Sequence, residues 1–124
     1  LNTEYTIIAT GSKPSKIPGV NCDKKRIITS TEALSLKEIP EKLIVIGGGV
    51  VGLELGSVFN RLGSNVQVVE YLDRLVAGMD NALGKEVLRV LKKQGIQFFL
   101  NHTVQKAIVK GKNVEVTSKN KKDK

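Results

Sequence analysis

Hydrophobic residues recur along this chain at two different spacings, which distinguish strands from helices. Short runs rich in apolar and β-branched residues, of the kind that a parallel sheet buries, predict strands at residues 5–9, 43–46, 65–70 and 96–100. Alternating apolar and polar positions predict two more strands, at residues 104–109 and 114–117. The polar sequence Lys-Gly-Lys-Asn between these two indicates a turn, so they are expected to form an antiparallel hairpin.

Apolar residues at helical spacing follow two of the predicted strands. The first long helix is predicted at residues 50–62, and Gly63 is expected to end it in the left-handed conformation of a C-cap. The second begins at a cap formed by Asp80 or Asn81 and ends at Gly95. The side chains expected to point inward from these two helices are Leu53, Val58, Phe59, Leu62, Leu83, Val87, Val90 and Leu91.

The chain divides near Pro40 into a first part with little regular structure and a second part in which strands and helices alternate. In the first part, a short helix capped by Thr29 or Ser30 is predicted to run to about Leu36. In the second part, the alternation predicts an α/β fold with a central parallel sheet, flanking helices and the antiparallel hairpin.

Three glycines stand where the strand at residues 43–46 ends and the next helix begins. Gly47, Gly49 and Gly52 have the spacing G-x-G-x-x-G. Glu70 closes the following strand, 18 residues after Gly52. A strand before such glycines, a helix after them and an acidic residue about 20 residues further on together indicate a Rossmann-like dinucleotide-binding unit. The structural alternative is a glycine-rich turn that packs tightly and binds nothing.

Each part of this loop has a separate physical task in that interpretation. Gly47 can turn sharply out of the strand with a positive φ, because it carries no side chain. Gly49 lets the main chain approach a pyrophosphate, and Gly52 permits close packing of the helix on the strand. The helix starts at Val50 and Val51, whose N–H groups lack partners inside the helix and would face the phosphates.

Glu70 is the residue expected to decide between NAD and NADP. A carboxylate at this position can accept hydrogen bonds from the ribose hydroxyls of an adenosine. It would repel a 2′-phosphate, which carries about −1.5 to −2 charges. The sequence therefore favours NAD over NADP. Arg74 is close enough in sequence to weaken that preference, but a loop arginine is interpreted here as a solvated surface group.

Composition limits the partners that remain. The 124 residues suffice for about one domain, and 20 Lys and Arg against 12 Asp and Glu give a net charge of +8. The lysines are dispersed and aromatic residues are few, which is typical of a solvated surface and not of a nucleic-acid interface. No apolar run is long enough to span a membrane. The lone Cys22 and the lone His102 predict neither a disulfide framework nor a metal site.

Several stretches resemble one family of enzymes. Residues 9–12, Ala-Thr-Gly-Ser, and residues 30–36, Ser-Thr-Glu-Ala-Leu-Ser-Leu, are similar to segments that precede the NAD domain in this family. The most specific match is Gly-Leu-Glu-Leu-Gly-Ser-Val-Phe at residues 52–59, followed by Arg-Leu-Gly at 61–63 and Val-Glu at 69–70. On these residues the chain resembles the NAD-binding domain of the dihydrolipoamide dehydrogenases, which are flavin-dependent pyridine nucleotide–disulfide oxidoreductases.

The resemblance implies a mechanism for a longer enzyme. Dihydrolipoamide would reduce FAD through a disulfide–dithiol pair, and the reduced flavin would pass a hydride to NAD⁺ held on this domain. Glu54 matches a family glutamate that lies near the nicotinamide and the flavin, while Thr10 and Gly11 match a segment that runs close to FAD. The structural alternative for Glu54 is an interaction with the positive end of its own helix.

The resemblance also implies that these residues are part of a larger protein. Residues 1–40 would connect to an FAD domain, and residues 41–124 would form an NAD-binding domain truncated before its closing strand. The family's cysteine pair, its FAD-binding glycine motif and its C-terminal interface domain are not found in this sequence, so the chain is expected to be inactive alone. Its implied partners are those missing domains, in a homodimer within 2-oxoacid dehydrogenase or glycine-cleavage complexes of the cytoplasm or mitochondrial matrix.

Two other functions stay open on the sequence. One is the NAD(P)H-binding domain of a sister disulfide reductase that acts on mercuric ion, glutathione or coenzyme A disulfide. NADP-using members of that group usually place basic residues where Glu70 stands. The other is an NAD-binding module without a catalytic partner.

Overall fold

The computed structural model describes residues 2–123 as an α/β fold. The elements are α1 (Ser30–Ala33), β1 (Lys42–Ile46), α2 (Val50–Arg61), β2 (Asn65–Val69), α3 (Asn81–Lys93), β3 (Gln97–Phe99), β4 (His102–Lys110) and β5 (Asn113–Asn120). The first three strands form a parallel sheet in the order β1-β2-β3, and β4 and β5 form a separate antiparallel pair. The predicted fold class, with its parallel sheet and its hairpin, is confirmed.

The hydrophobic core is centred on β2, the middle strand of the parallel sheet. Val66 and Val68 are completely buried, and Leu75, in the loop after β2, is 1% exposed. Complete burial of such a side chain contributes about 1.5–3 kcal/mol relative to exposure. The remaining buried members of this core are Leu53, Phe59, Val76, Leu91 and Ile96.

Small residues bring α2 close to the sheet. A Cβ atom added to Gly52 would lie 2.9 Å from the carbonyl oxygen of Gly47 and 3.0 Å from Cγ1 of Val45. This close packing agrees with the role expected for Gly52. Because the glycine face turns toward the sheet, Val58 and Leu62 lie off it and are 40% and 56% exposed, so the prediction that both point inward was wrong.

The start of α3 matches the sequence prediction, whereas its buried face does not. Asp80 caps the helix by accepting a hydrogen bond from the N–H of Ala82 at 2.7 Å. The buried residues of α3 are Gly84 and Leu91. Leu83 and Val90, both expected to point inward, are 55% and 38% exposed. The helix packs against the loop after β2 through Gly84, where a Cβ would meet the carbonyl oxygen of Leu75 at 2.9 Å.

The first part of the chain departs most from the prediction. Residues 5–9 form no strand, and Tyr5, Ile7 and Ile8 are more than 80% exposed. A strand needs a neighbouring strand for its backbone hydrogen bonds, and no described residue pairs with this run. The short helix α1 ends at Ala33, three residues earlier than expected, and Thr29 is its cap.

The hairpin is longer than the alternating pattern indicated. β5 extends to Asn120, although residues 119–124 were expected to form a polar loop; Lys124 lies outside the described residues. The N–H of Lys121 then donates to the carbonyl of Asn101 at 2.8 Å. Earlier in the chain, Val20 forms a parallel bridge with Ala107 of β4. The hairpin is therefore extended past β5 at its open end, and it is joined to the first part of the chain at Ala107.

Replacing Gly52 with alanine should destabilise the fold. The added methyl group has no space between α2 and β1, and such overpacking costs about 1–3 kcal/mol. The higher helix propensity of alanine returns about 1 kcal/mol at most. Urea unfolding of Gly52→Ala and of the control Gly78→Ala, whose Cβ would meet nothing within 4 Å, measures the difference. Equal stability of the two variants would contradict the close packing.

Acid should loosen the turn at Asp23. Its carboxylate accepts hydrogen bonds from the N–H groups of Lys25, Arg26 and Ile27 at 2.9, 2.8 and 2.9 Å, which lower the pKa of Asp23. Because the folded pKa is the lower one, the stabilisation is complete above the ordinary value of 3.8 and is lost as the pH falls through the folded value. Amide chemical shifts of these three residues, followed by NMR from neutral to acidic pH, should move in the native chain and stay constant in Asp23→Asn.

Candidate functional site

The candidate site lies at the carboxyl ends of the parallel strands, where open α/β sheets bind their ligands. It consists of the glycine loop, residues 47–49, together with the segment of residues 69–76 that follows β2. The turn between β1 and α2 and the turn after β2 lie side by side, because the two strands are paired along their whole length in parallel register.

Gly47 directs the chain out of the sheet. Its N–H donates to the carbonyl of Val69 at 2.9 Å, which continues the β1–β2 pairing one residue past β1. Its φ is +106°, a value that side chains strongly disfavour, so the positive φ expected for Gly47 is confirmed.

Gly49 leaves the front of the loop open. It is the N-cap residue of α2 with a φ of −79°, and a Cβ added there would meet nothing within 4 Å. No side chain caps this helix, and its first turn contains no acidic residue. The N–H groups of Val50 and Val51, whose side chains are about half exposed, therefore present the positive end of α2 without a competing carboxylate.

Glu70 reaches back from the end of β2 to the glycine loop. One carboxylate oxygen accepts a hydrogen bond from the N–H of Gly48, and the other accepts from the N–H of Leu72 at 2.6 Å. The structure thus brings the acidic residue and the glycines of the motif together. Each carboxylate oxygen has a second lone pair, so Glu70 can still accept a bond from a hydroxyl group.

Gly48 is a buried residue of this loop to which the sequence pattern assigned no role. Its carbonyl accepts a hydrogen bond from the N–H of Val76 at 2.9 Å, and its N–H is bound by Glu70. A Cβ at Gly48 would lie 2.5 Å from Cδ2 of Leu75. The only local signal was the run of three consecutive glycines, since this position is variable in the motif.

The other predicted site residues lie away from this cluster of contacts. Glu54, in the second turn of α2, is exposed, and its carboxylate makes no hydrogen bond or ion pair with another residue in the range 2–123. Thr10 and Gly11 lie in the irregular first part of the chain and are exposed, with Gly11 at a φ of +76°. Among the described hydrogen bonds, none joins Thr10 or Gly11 to the glycine loop.

Arg74 is exposed but attached to its own loop. Its guanidinium group donates to the side-chain oxygen of Asn81 and, at 3.3 Å, to the carbonyl of Ala77.

His102 is half-buried, with Nδ1 2.8 Å from the carbonyl oxygen of Leu100 and its ring edge-on to Phe99. Nowhere in residues 2–123 do three His, Cys, Asp or Glu side chains group as metal ligands would. The same residues contain no helix long and apolar enough to cross a membrane.

An apolar groove of about 520 Å³ separates α2 from α3. Glu54, Val58 and Arg61 line it on one side, and Val87 and Val90 line it on the other. It includes neither the glycine loop nor Glu70, so it is distinct from the candidate site.

The parallel sheet and its glycine loop define a Rossmann-type α/β fold, and the comparisons give the family. The pattern of the pyridine nucleotide-disulphide oxidoreductases matches residues 1–124. The chain therefore belongs to this family, whose members depend on FAD and NAD(P).

Two relatives show which branch of the family this chain resembles. The chain is 49% identical over 116 residues to dihydrolipoyl dehydrogenase 3 of Pseudomonas putida, covering 94% of this chain and 25% of that protein. It is 48% identical over 117 residues to the mitochondrial dihydrolipoyl dehydrogenase of Schizosaccharomyces pombe, covering 94% of this chain and 23% of that protein. The chain thus spans about a quarter of the length of these relatives.

A solved structure has the same arrangement. LpdA of Mycobacterium tuberculosis superimposes with a TM-score of 0.79 at 29% identity, over 88% of this chain and 24% of that one.

Proposed function

We propose that this chain is the NAD(H)-binding part of a flavin-dependent dihydrolipoamide dehydrogenase, where it presents NAD⁺ to the reduced flavin. The observation that carries the proposal is the open, uncapped start of α2 at Gly49, with the Glu70 carboxylate beside it. The identity of 49% to a dihydrolipoyl dehydrogenase supports the choice of branch.

The loop has the shape and charge that a dinucleotide requires. The N–H groups from Gly49 to Gly52 would bind the pyrophosphate, because the positive end of a helix attracts anions and no Cβ blocks the approach at Gly49. Glu70 would accept a hydrogen bond from the adenosine ribose. When bound, the nicotinamide ring supplies the carbon that accepts a hydride.

Three observations support the finer assignments. Glu70 is a negative charge where NADP would place its 2′-phosphate, which favours NAD. Arg74, the cation nearest in sequence, is already engaged by Ala77 and Asn81. Glu54 has no structural partner among residues 2–123, which leaves its carboxylate available for the nicotinamide end of the cofactor.

The longer enzyme would supply the remaining chemistry. Thr10 and Gly11 would run beside FAD in that protein, and residues 1–40 would join the FAD domain to this one. The family relationship supports a homodimer that works within a 2-oxoacid dehydrogenase or glycine-cleavage complex, in the cytoplasm or the mitochondrial matrix.

A sister disulfide reductase is the second candidate. The chain is similar to the HOCl-induced flavoprotein disulfide reductase RclA of Escherichia coli, with 29% identity, a TM-score of 0.73 and coverage of 86% of this chain and 24% of that one. Stronger binding of NADPH than of NADH would favour this candidate over the first.

Titration of the chain with NADH, followed by the fluorescence of the nicotinamide, tests nucleotide binding. NADH should bind, NADPH should bind more weakly, and Gly49→Ala should weaken NADH binding about tenfold, equivalent to about 1.4 kcal/mol. The added methyl group meets nothing in the chain but enters the space in front of the amides. Gly78→Ala is the matched control and should bind as the native chain does. Absence of NADH binding by the native chain would contradict the proposal.

The chain alone should not catalyse lipoamide-dependent oxidation of NADH. It contains a single cysteine, Cys22, and therefore cannot form a disulfide–dithiol pair within one molecule. A spectrophotometric assay at 340 nm (the absorbance of NADH) with lipoamide and added FAD measures this. Turnover that scales with the amount of chain would contradict the expectation.

A further inference from the structure

The main chain of Gly48 is held at both its N–H and its carbonyl by the segment that follows β2. The N–H of Gly48 donates to a Glu70 carboxylate oxygen, and its carbonyl accepts from the N–H of Val76 at 2.9 Å. One residue earlier, the N–H of Gly47 donates to the carbonyl of Val69 at 2.9 Å. Three hydrogen bonds from residues 69–76 thus fix the first half of the glycine loop.

Glu70 makes this connection with both of its carboxylate oxygens. The oxygen that does not bind Gly48 accepts from the N–H of Leu72 at 2.6 Å, so the side chain bridges its own turn and the glycine loop. An ionised carboxylate offers only acceptors and suits two N–H donors. A glutamine at this position could satisfy one of them, while its NH₂ group would face the other donor.

The residues below the loop strengthen the same connection. Leu75 is 1% exposed, and its Cδ2 lies 2.5 Å from the position that a Cβ of Gly48 would occupy. Val76 has a φ of +43°, which is a rare conformation for a β-branched residue. Such a conformation persists only where the surroundings impose it. Here the hydrogen bond from Val76 to Gly48 and the packing of the Leu75 and Val76 side chains in the core impose this conformation.

We propose that Glu70 is a positioning residue for the amides of the glycine loop, in addition to its contact with the ribose. This inference rests on the proposed function, because it concerns the same nucleotide site. Its consequence is that the negative charge cannot be removed without loosening the loop that would bind the pyrophosphate. Neutralising Glu70 therefore weakens both nucleotides through the loop, and it weakens NADPH less than NADH, because the repulsion of the 2′-phosphate is removed at the same time.

Amide hydrogen exchange of the 124-residue chain without nucleotide tests the connection directly. In Glu70→Ala the N–H groups of Gly48 and Leu72 should both exchange about tenfold faster or more, because each loses its hydrogen bond to a charged acceptor, and in Glu70→Gln at least one of them should. The control is Glu115→Gln, which removes an exposed carboxylate on the hairpin. Unchanged exchange at Gly48 in Glu70→Ala would overturn the proposal. So would an equal increase at Ala107 in β4, because that would indicate global and not local loosening.

Nucleotide titration then separates the two roles of Glu70. Glu70→Gln should weaken NADH about tenfold, as the loss of about 1.4 kcal/mol would, and NADPH by less, because the repulsion of its 2′-phosphate is lost as well. Glu70→Asp keeps the charge but is one methylene shorter, so both affinities should fall while their ratio is retained. If Glu70→Gln binds NADPH more tightly than the native chain does, and exchange at Gly48 is unchanged, then Glu70 contacts the ribose but does not position the loop. If the native chain binds neither nucleotide, the proposed function fails, and the exchange rates alone decide the positioning role.

Discussion

The close approach of α2 to β1 is the constraint on which the rest of the structure depends. At Gly52 the helix comes so near the strand that even a methyl group would meet the Gly47 carbonyl and the Val45 side chain. Only residues 47–49 connect the two elements, so the distance between helix and strand also sets where the first amides of α2 point. Gly52 therefore determines both the packing of α2 on β1 and the geometry of the candidate site.

Two charges of opposite sign face each other across this loop. The start of α2 carries about half a positive charge from its peptide dipoles, and Glu70 supplies a full negative charge nearby. The carboxylate does not neutralise the helix start, because its two oxygens are directed to Gly48 and Leu72 and not to the amides of Val50 and Val51. The loop thus keeps an anion-binding character next to a group that repels anions. In the proposed function, that combination would accept a pyrophosphate at one point and discriminate against a further phosphate at another.

Local signals in the sequence predicted the parts of the fold that local chemistry controls. The positive φ of Gly47 and Gly63 and the cap at Asp80 follow from single residues, and all are present. The prediction of a strand at residues 5–9 was wrong because a strand forms only beside a partner strand, and an apolar run does not reveal whether such a partner exists. The prediction for Val58 and Leu62 was wrong because the buried face of α2 is the one that carries Leu53, Gly56 and Phe59. The role of Gly48 was missed because its partner Glu70 is 22 residues away.

The open edge of β1 influences how the chain behaves in solution. β1 pairs with β2 on one side, and no described strand covers its other side; Ile44 in this strand has a side chain that is 37% exposed. Such an edge can add a strand from a second molecule. The net charge of +8 opposes that encounter by mutual repulsion, and dissolved ions shorten the range of the repulsion to about 10 Å at 0.1 M salt. Ionic strength therefore controls the colloidal stability of this chain, and dilute buffers keep its molecules apart.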